Sequence, residues 1–126
     1  PQGPLPPTTR PRCRVLVVDD DELCRTALTR VLGHLGHPVD AAATVGEGLA
    51  VLGGQGCAIL DLNLPDGVGT TILARVRAEG RPMRVAVASG TTDAALLAEA
   101  VRLKPDLMLR KPIDVGVLAA WLDAAC

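Results

Sequence analysis

Three carboxylates, Asp19, Asp20 and Asp21, stand directly after the apolar run Val15–Val18, and a fourth, Asp61, directly follows Ala58–Leu60. Ser89 ends another apolar run, and Lys111 comes just after Leu107–Leu109. Three carboxylates brought within a few ångströms cannot all stay ionised unless something positive joins them. Their hard oxygens favour Mg²⁺, with Mn²⁺ as the alternative, and these cations keep waters and bind phosphate oxygens well. A lysine, a hydroxyl and a metal around one remaining carboxylate suit phosphoryl transfer to that carboxylate. Its oxygen attacks in line while the cations neutralise charge on the equatorial oxygens. Singly, each residue has a plainer role. An acidic run after a strand is more often a helix cap or a solvated loop, and Asp21 keeps that reading. Asp61 could cap the next turn, Ser89 the next helix, and Lys111 could be a surface charge.

The alternation of elements is what would bring them together. Val15–Val18 reads as a buried parallel strand. Asp21 stands at a helix N-cap, and Cys24, Ala27, Leu28, Val31, Leu32 and Leu35 recur at helical spacing up to a stop at Gly36. Val39–Ala43 reads as a second strand, Val45–Leu52 as a short helix closed by Gly53 and Gly54, and Ala58–Leu60 as a third strand. Leu62–Gly69 reads as a loop broken by Pro65, Gly67 and Gly69, followed by a helix over Thr70–Ala78 with Ile72, Leu73 and Val76 on one face. A strand over Arg84–Ala88, an Ala/Leu-rich helix over Asp93–Leu103, a strand over Leu107–Leu109 and a helix over Val115–Ala125 complete the pattern. Five such units predict an α/β fold: a doubly wound, five-stranded parallel sheet with helices on both faces. Ligand sites in such sheets lie beyond the carboxyl ends of the strands. A carboxylate, hydroxyl or lysine ends four of the five expected strands on that side, which chance would seldom arrange.

Composition narrows the classes. A length of 126 residues fits one domain with a single core. An apolar share of 48% with 21% charged residues is a globular balance, neither disordered nor membrane-like. The net charge of −1 gives no support to a nucleic-acid or anionic-membrane surface. Trp121 is the only aromatic, so the core must be built from Leu, Val, Ile and Ala, and a base-stacking surface lacks its platforms. Cys13, Cys24, Cys57 and Cys126 form no CxxC pair and no metal-like spacing with His34 or His37. They are expected to be small buried or terminal thiols in a reducing compartment. No apolar run is long enough to span a bilayer, and the N-terminus lacks the apolar stretch of a signal peptide, so the chain reads as cytoplasmic. Residues 1–12 hold five prolines without an apolar period and read as a disordered or linker leader to a domain over 13–126. The chain starts with Pro1 and not Met, which fits a segment of a longer protein.

The segments VLVVDDD (Val15–Asp21), AILDLNLPDGVG (Ala58–Gly69), VAVASG (Val85–Gly90) and LRKP (Leu109–Pro112) come in a specific order and spacing. Together they resemble the receiver domain of two-component response regulators and hybrid histidine kinases, from Arg14 to the C-terminus. The resemblance implies a (βα)5 flavodoxin-like fold and a phosphorylation-controlled switch. Asp61 matches the aspartate that accepts a phosphoryl group from a phosphohistidine, on a histidine kinase or histidine phosphotransfer domain, in a Mg-dependent reaction. Asp20 and Asp61 match direct metal carboxylates, Asp19 one acting mainly through water, and Asn63 the residue whose backbone carbonyl completes the shell. Ser89 matches the switch hydroxyl. Lys111 matches the lysine that pairs with phosphoryl oxygens, with an implied cis bond to Pro112. Gly90 would leave the phosphoryl group room, and Thr91, like Asn63, holds a position that modulates hydrolysis. Donors of the family dock mainly along the first helix.

The pattern departs from the family at the output end. Met108 stands where an aromatic usually rotates inward as the switch hydroxyl moves. Methionine can repack there, with a less discrete rotamer change. Leu107 replaces an acidic residue common in receivers that dimerise to drive winged-helix transcription factors, and the last helix has no basic residue, so a dimer through this face is unsupported. Val101, Leu103 and Leu107 could form an apolar docking patch, but core burial is the expected fate of most of them. Two other functions compete. An aspartyl-phosphate hydrolase would carry a second acid/base aspartate two residues after the nucleophile, where Asn63 stands, and a cap that is not inserted here. A non-phosphorylated pseudo-receiver module would lack an acid, the hydroxyl or the lysine, and none is missing. The reading is therefore a phosphoacceptor and not an enzyme. Its output partner is unknown, and direct nucleic-acid or membrane binding is not expected.

Overall fold

The computed structural model of the chain describes residues 13–126, and the leader expected over 1–12 lies outside the described residues. The elements run β1 (Val15–Val18), α1 (Glu22–His34), β2 (Val39–Ala42), α2 (Val45–Val51), β3 (Cys57–Leu60), β4 (Asn63–Leu64), β5 (Gly67–Val68), α3 (Thr70–Ala78), β6 (Arg84–Ser89), α4 (Ala94–Arg102), β7 (Leu107–Arg110) and α5 (Val115–Ala125). Five strands form one parallel sheet in the order β2-β1-β3-β6-β7. This is the expected doubly wound architecture.

Strand alternation divides the core into two layers. Leu16, Val18, Ala58, Leu60, Val85 and Val87 face α2, α3 and α4, where they pack with Ile72, Leu73, Val76 and Ala100. Val15, Val17, Cys57, Ile59, Ala86 and Ala88 face α1 and α5, against Leu28, Leu32, Leu118 and Leu122. Each fully buried Leu or Val contributes about 1.5–3 kcal/mol by leaving water. β1 and β3 are buried on both faces, which is why their sequences are unbroken apolar runs and not alternating ones.

The helices begin where their caps dictate. Side chains of Asp21, Thr44, Asp93 and Asp114 accept backbone N–H groups in the first turns of α1, α2, α4 and α5. Arg77 on α3 ties the far end of α4 to the sheet. Its guanidinium donates to the carbonyls of Leu103 (3.3 Å) and Lys104 (2.6 Å) and to the Asp106 carboxylate (3.3 Å). Asp106 in turn accepts the Val85 N–H of β6 at 2.7 Å.

Two expectations need correction. The segment read as a plain loop over Leu62–Gly69 contains a short antiparallel pair, β4 with β5, because Gly67, at φ 155°, lets the chain reverse. Cys13 and Cys126 are not separate thiols but a disulfide with Cα atoms 5.5 Å apart, while Cys24 and Cys57 are free. A separation of 113 residues hid this pair, since only the packing of α5 beside β1 brings the two together. Of Val101, Leu103 and Leu107, two are drawn into the core, as expected for most of them. Val101 is exposed, and Leu103 and Leu107 pack on opposite layers of the core. Among the described residues, no helix is long and apolar enough to cross a membrane.

Candidate functional site

The site forms where the winding of the sheet reverses. From β1 the chain runs outward to β2, then returns to the other side of β1 as β3, so the helices that follow β1 and β3 leave on opposite faces. A crevice opens at the carboxyl ends of those two strands. Val18 and Leu60 are register partners, so the residues that follow them, Asp19 and Asp61, come side by side. The ladder continues one step further: Asp61 N–H donates to the Val18 carbonyl (2.9 Å) and Asp19 N–H to the Ala42 carbonyl (3.0 Å).

Asp19, Asp20 and Asp61 each offer a carboxylate oxygen within 4.8 Å of the others, an all-oxygen group that could hold a metal ion. Asp19 and Asp61 are buried and Asp20 is exposed. Lys111, just past β7, reaches over the end of β6. Its ammonium lies 2.8 Å from Asp19 Oδ2 and 3.0 Å from Asp61 Oδ2. The Lys111 N–H donates to the Ser89 carbonyl at 3.0 Å, and the Lys111–Pro112 bond is cis, as the family resemblance implied.

The two buried carboxylates respond differently to this shared cation. Burial alone would raise Asp19, but hydrogen bonds from Lys111, from the Cys24 thiol and from the Asp21 N–H outweigh it and hold Asp19 below the usual carboxylate range. For Asp61 burial wins. Lys111 and the Asn63 N–H offset it only in part, the Asp19 charge adds to it, and the pKa is raised. Burial would lower Lys111, yet its bonds to the two carboxylates raise it, so the ammonium stays charged. Asp19 thus uses Oδ2 on Lys111 and Oδ1 on the Asp21 N–H (2.9 Å), while Asp61 Oδ2 shares the same ammonium.

The remaining expected residues gather around this centre. Ser89 is buried at the end of β6, and its hydroxyl accepts the Thr91 N–H at 3.0 Å. Gly90 is exposed beside Lys111, and a Cβ there would meet only Lys111 Cβ, at 3.9 Å. Asn63 opens β4 two residues after Asp61. Met108 is set apart from the cluster on the edge strand β7, 38% exposed, opposite Val87 in register.

Four further residues shape the site without having been singled out for it. Gly69 lies so close to Asp61 that an added Cβ would run into the Asp61 carbonyl oxygen, and its N–H donates to the Leu62 carbonyl at 2.9 Å. Asp66 grips the start of α2 with both oxygens, accepting from Val45 N–H (2.8 Å) and Gly46 N–H (2.9 Å), and so pins the β4–β5 hairpin. Arg25 donates to the Asp19 carbonyl at 2.7 Å. Burial and the neighbouring Asp19 push the Cys24 thiol up to about 11, so it stays protonated and donates to that carboxylate. In the sequence Gly69 and Asp66 showed only as turn punctuation, and Arg25 and Cys24 only as positions on a helix.

The family model for the response regulator receiver domain matches residues 15–123. The chain is 32% identical over 115 residues to the transcriptional regulatory protein FixJ of Azorhizobium caulinodans, an alignment covering 88% of this chain and 54% of that protein. The chain spans about half the length of the curated relatives it matches. Among solved structures, a CheY-like response regulator receiver domain protein from Methanospirillum hungatei superposes with a TM-score of 0.80 at 28% identity, over 91% of this chain and 97% of that one. A Burkholderia pseudomallei response regulator, solved with a phosphorylated aspartic acid, a calcium ion and citrate, superposes with a TM-score of 0.77 at 28% identity, over 87% and 66% of the two chains.

Proposed function

The chain belongs to the response regulator receiver domain family, a phosphoacceptor switch, and from that premise we propose that Asp61 is the residue phosphorylated. One observation carries the assignment. Of the two buried carboxylates that share the Lys111 ammonium within 4.8 Å of Asp20, Asp61, at 3.0 Å, is the one whose pKa is raised. Its raised pKa reflects a carboxylate poorly solvated by its surroundings and so readier to bond to phosphorus.

Lys111 stays charged and pairs with the arriving phosphoryl oxygens, leaving Asp61 as it does so. Asp20 and Asp61, with the Asn63 carbonyl, would hold a divalent cation, and Asp19 would add its charge to the site. The all-oxygen donor set fits Mg²⁺, with Mn²⁺ as the alternative. Bound there, the ion would neutralise charge on the transferring group. The Burkholderia relative, solved with a phosphorylated aspartic acid and a calcium ion, supports this reading. Ser89 gives up the Thr91 N–H to turn toward the phosphoryl group, Gly90 and Thr91 set access to it, and Met108 reports the change on the outer face.

The donor is a phosphohistidine on a histidine kinase or phosphotransfer domain, docking along α1. A largely apolar cleft of about 330 Å³ beside that helix, lined by Cys24, Ala27, Val31, Ile113 and Val115 together with Asp21 and Lys111, supports this path. The chain turns over no separate substrate and supports only its own phosphorylation and dephosphorylation. The receiver unit comprises residues 13–126, and the protein works in the cytoplasm through an output partner, not by direct contact with nucleic acid or membrane.

The test is an intact-mass measurement after treatment with a small acyl phosphate and Mg²⁺. One labile phosphoryl adduct is expected on the wild-type chain and none on Asp61→Asn. A label that persists in the variant would sink the assignment.

A further inference from the structure

At the amino ends of the strands, on the opposite rim from the acidic site, ligand atoms of Cys13, His37 and Cys126 converge within 4.8 Å, and Cys57 lies against the two cysteines. Cys13 precedes β1, His37 precedes β2, Cys57 opens β3 and Cys126 follows α5. Cys57 pairs in register with Val15, which sets the starts of β1 and β3 side by side. The Cys57 sulfur lies 3.6 Å from that of Cys13 and 3.7 Å from that of Cys126. A ring nitrogen of His37 is within 4.8 Å of the Cys13 and Cys126 sulfurs. His37 Nδ1 also sits 3.1 Å from the Cys13 carbonyl oxygen. Cys57 and His37 are buried, and the other two are half-buried.

Two chemistries compete for such a cluster. In a thiol–disulfide relay Cys57 would attack one sulfur of the Cys13–Cys126 bond from behind, in line with the bond being broken. Cys57 is instead nearly equidistant from both sulfurs, so it flanks the bond broadside. A soft tetrahedral cation asks for what the cluster offers. Zn²⁺–S bonds of about 2.3 Å space the sulfurs about 3.8 Å apart, close to both Cys57 separations, and three cysteines with one histidine form a common structural zinc set. An Nδ1–H donated to the Cys13 carbonyl leaves the lone pair on Nε2, the outer hydrogen bond usual for a metal-bound imidazole. A cleft lined by Cys13, Arg14, Gln55, Gly56 and Arg81 opens this corner to solvent.

We propose that Cys13, His37, Cys57 and Cys126 form a second, redox-gated metal site. It takes one Zn²⁺-class soft cation when the Cys13–Cys126 disulfide is reduced and none when the disulfide is formed. Reduction by a dithiol delivers two electrons and two protons to the sulfur–sulfur bond, giving two cysteine thiols and the oxidised dithiol. The cation then displaces three thiol protons and is held by three thiolates and a neutral imidazole. Metal or disulfide would each clasp the end of α5 to the start of β1, and only the metal would also engage β3.

The test titrates the full chain with Co²⁺ and then with Zn²⁺, with Mg²⁺ present to fill the acidic site and a phosphine as the reductant. The reduced chain is expected to take one Co²⁺ with thiolate-to-cobalt charge-transfer bands, which a carboxylate site cannot produce. One equivalent of Zn²⁺ should bleach them, and the oxidised chain should show none. Cys57→Ser should weaken Co²⁺ binding at least about tenfold and dim the bands. Cys126→Ser, at the half-buried end of the chain, serves the same purpose if the buried substitution prevents folding. Absence of the bands in the reduced wild-type chain overturns the proposal. So do bands of equal strength in the oxidised chain, or bands undiminished in the folded variants.

Discussion

The Lys111 ammonium lies 3.0 Å from Asp61 Oδ2, although β7, which the lysine directly follows, is separated from β3 by a whole strand. The reach is open because the strand between them, β6, is followed at its rim by Gly90, where even a methyl group would only touch Lys111 Cβ. The same ammonium lies 2.8 Å from Asp19, so one cation serves two buried acids.

Lys111→Met should therefore act on stability and chemistry in different ways. Without the ammonium, Asp19 and Asp61 face each other unpaired, and one of them takes up a proton. That relaxation limits the loss of stability to about 1–3 kcal/mol, less than for a pair that cannot titrate. Phosphoryl acceptance from a small acyl phosphate should fall on the order of 100-fold, since a preorganised charge facing the transferring oxygens is lost. Urea unfolding and single-turnover phosphorylation measure the two separately. A rate within threefold of wild type would mean that Lys111 serves the fold alone.

The opposite shifts of Asp19 and Asp61 predict opposite pH dependences in chelator-treated protein. Asp61 has a raised folded-state pKa, so the folded state binds its proton more tightly than the unfolded chain does. Ionising it costs stability above that pKa, and the cost disappears as pH falls through it. Asp19 has a lowered folded-state pKa, so its stabilisation is present above the unfolded value and is lost as pH falls through the folded one. At pH 7, Asp61→Asn should unfold at a higher urea concentration than wild type, and Asp19→Asn at a lower one. Both gaps should narrow in acid. Mg²⁺ should reduce or invert the Asp61→Asn gap, because a cation that binds only the folded wild-type site stabilises it by mass action. Variants that shift in the same direction at pH 7 would contradict the account.

Gly69 is the steric key to where Asp61 sits. An added Cβ would meet the Asp61 carbonyl oxygen, a backbone atom that cannot swing aside as a flexible side chain would. Gly69→Ala should cost about 1–3 kcal/mol in urea unfolding through overpacking. It should also weaken Mg²⁺ binding, because the strand end must shift to make room. Gly33→Ala is the control, since a Cβ at Gly33 meets nothing within 4 Å. Equal behaviour of the two variants would remove Gly69 from the site.

The architecture and the acidic site could be read from the chain because both rest on short-range pattern. β1, α3 and α5 fall where the apolar periods placed them, and the strand-end rule drew Asp19, Asp61, Ser89 and Lys111 to one rim. What escaped depends on distances between segments far apart in sequence. Asp66 looked like part of a turn until the fold set it against Val45 and Gly46, and Gly69 looked like a breaker until it was seen against the Asp61 carbonyl. Cys13 and Cys126 had no local spacing at all. The fate of Val101 and Leu103 turned on where α4 ends, which is fixed by the Arg77 contacts to Leu103 and Lys104, a link of 26–27 residues that no periodicity shows.

Whether Met108 relays the state of Asp61 can be read without an output partner, because the chain has only two methionines. Met83 is buried in the layer under α2–α4, whereas Met108 is 38% exposed on the edge strand β7, opposite Val87 in register. Selective ¹³C-methyl labelling should therefore give two signals, one reporter and one internal control. Ser89, two residues beyond Val87, now holds the Thr91 N–H. If its hydroxyl turns toward a phosphorylated Asp61, the β6 rim loosens and Met108 repacks against it. Acyl phosphate with Mg²⁺ should then move the Met108 methyl signal and leave Met83 in place, with no movement in Asp61→Asn and a reduced shift in Ser89→Ala. A broad, exchange-averaged Met108 signal is expected, since an unbranched thioether samples several rotamers where an aromatic ring would hold two. An unmoved Met108 signal in fully phosphorylated protein would show that the message leaves by another face.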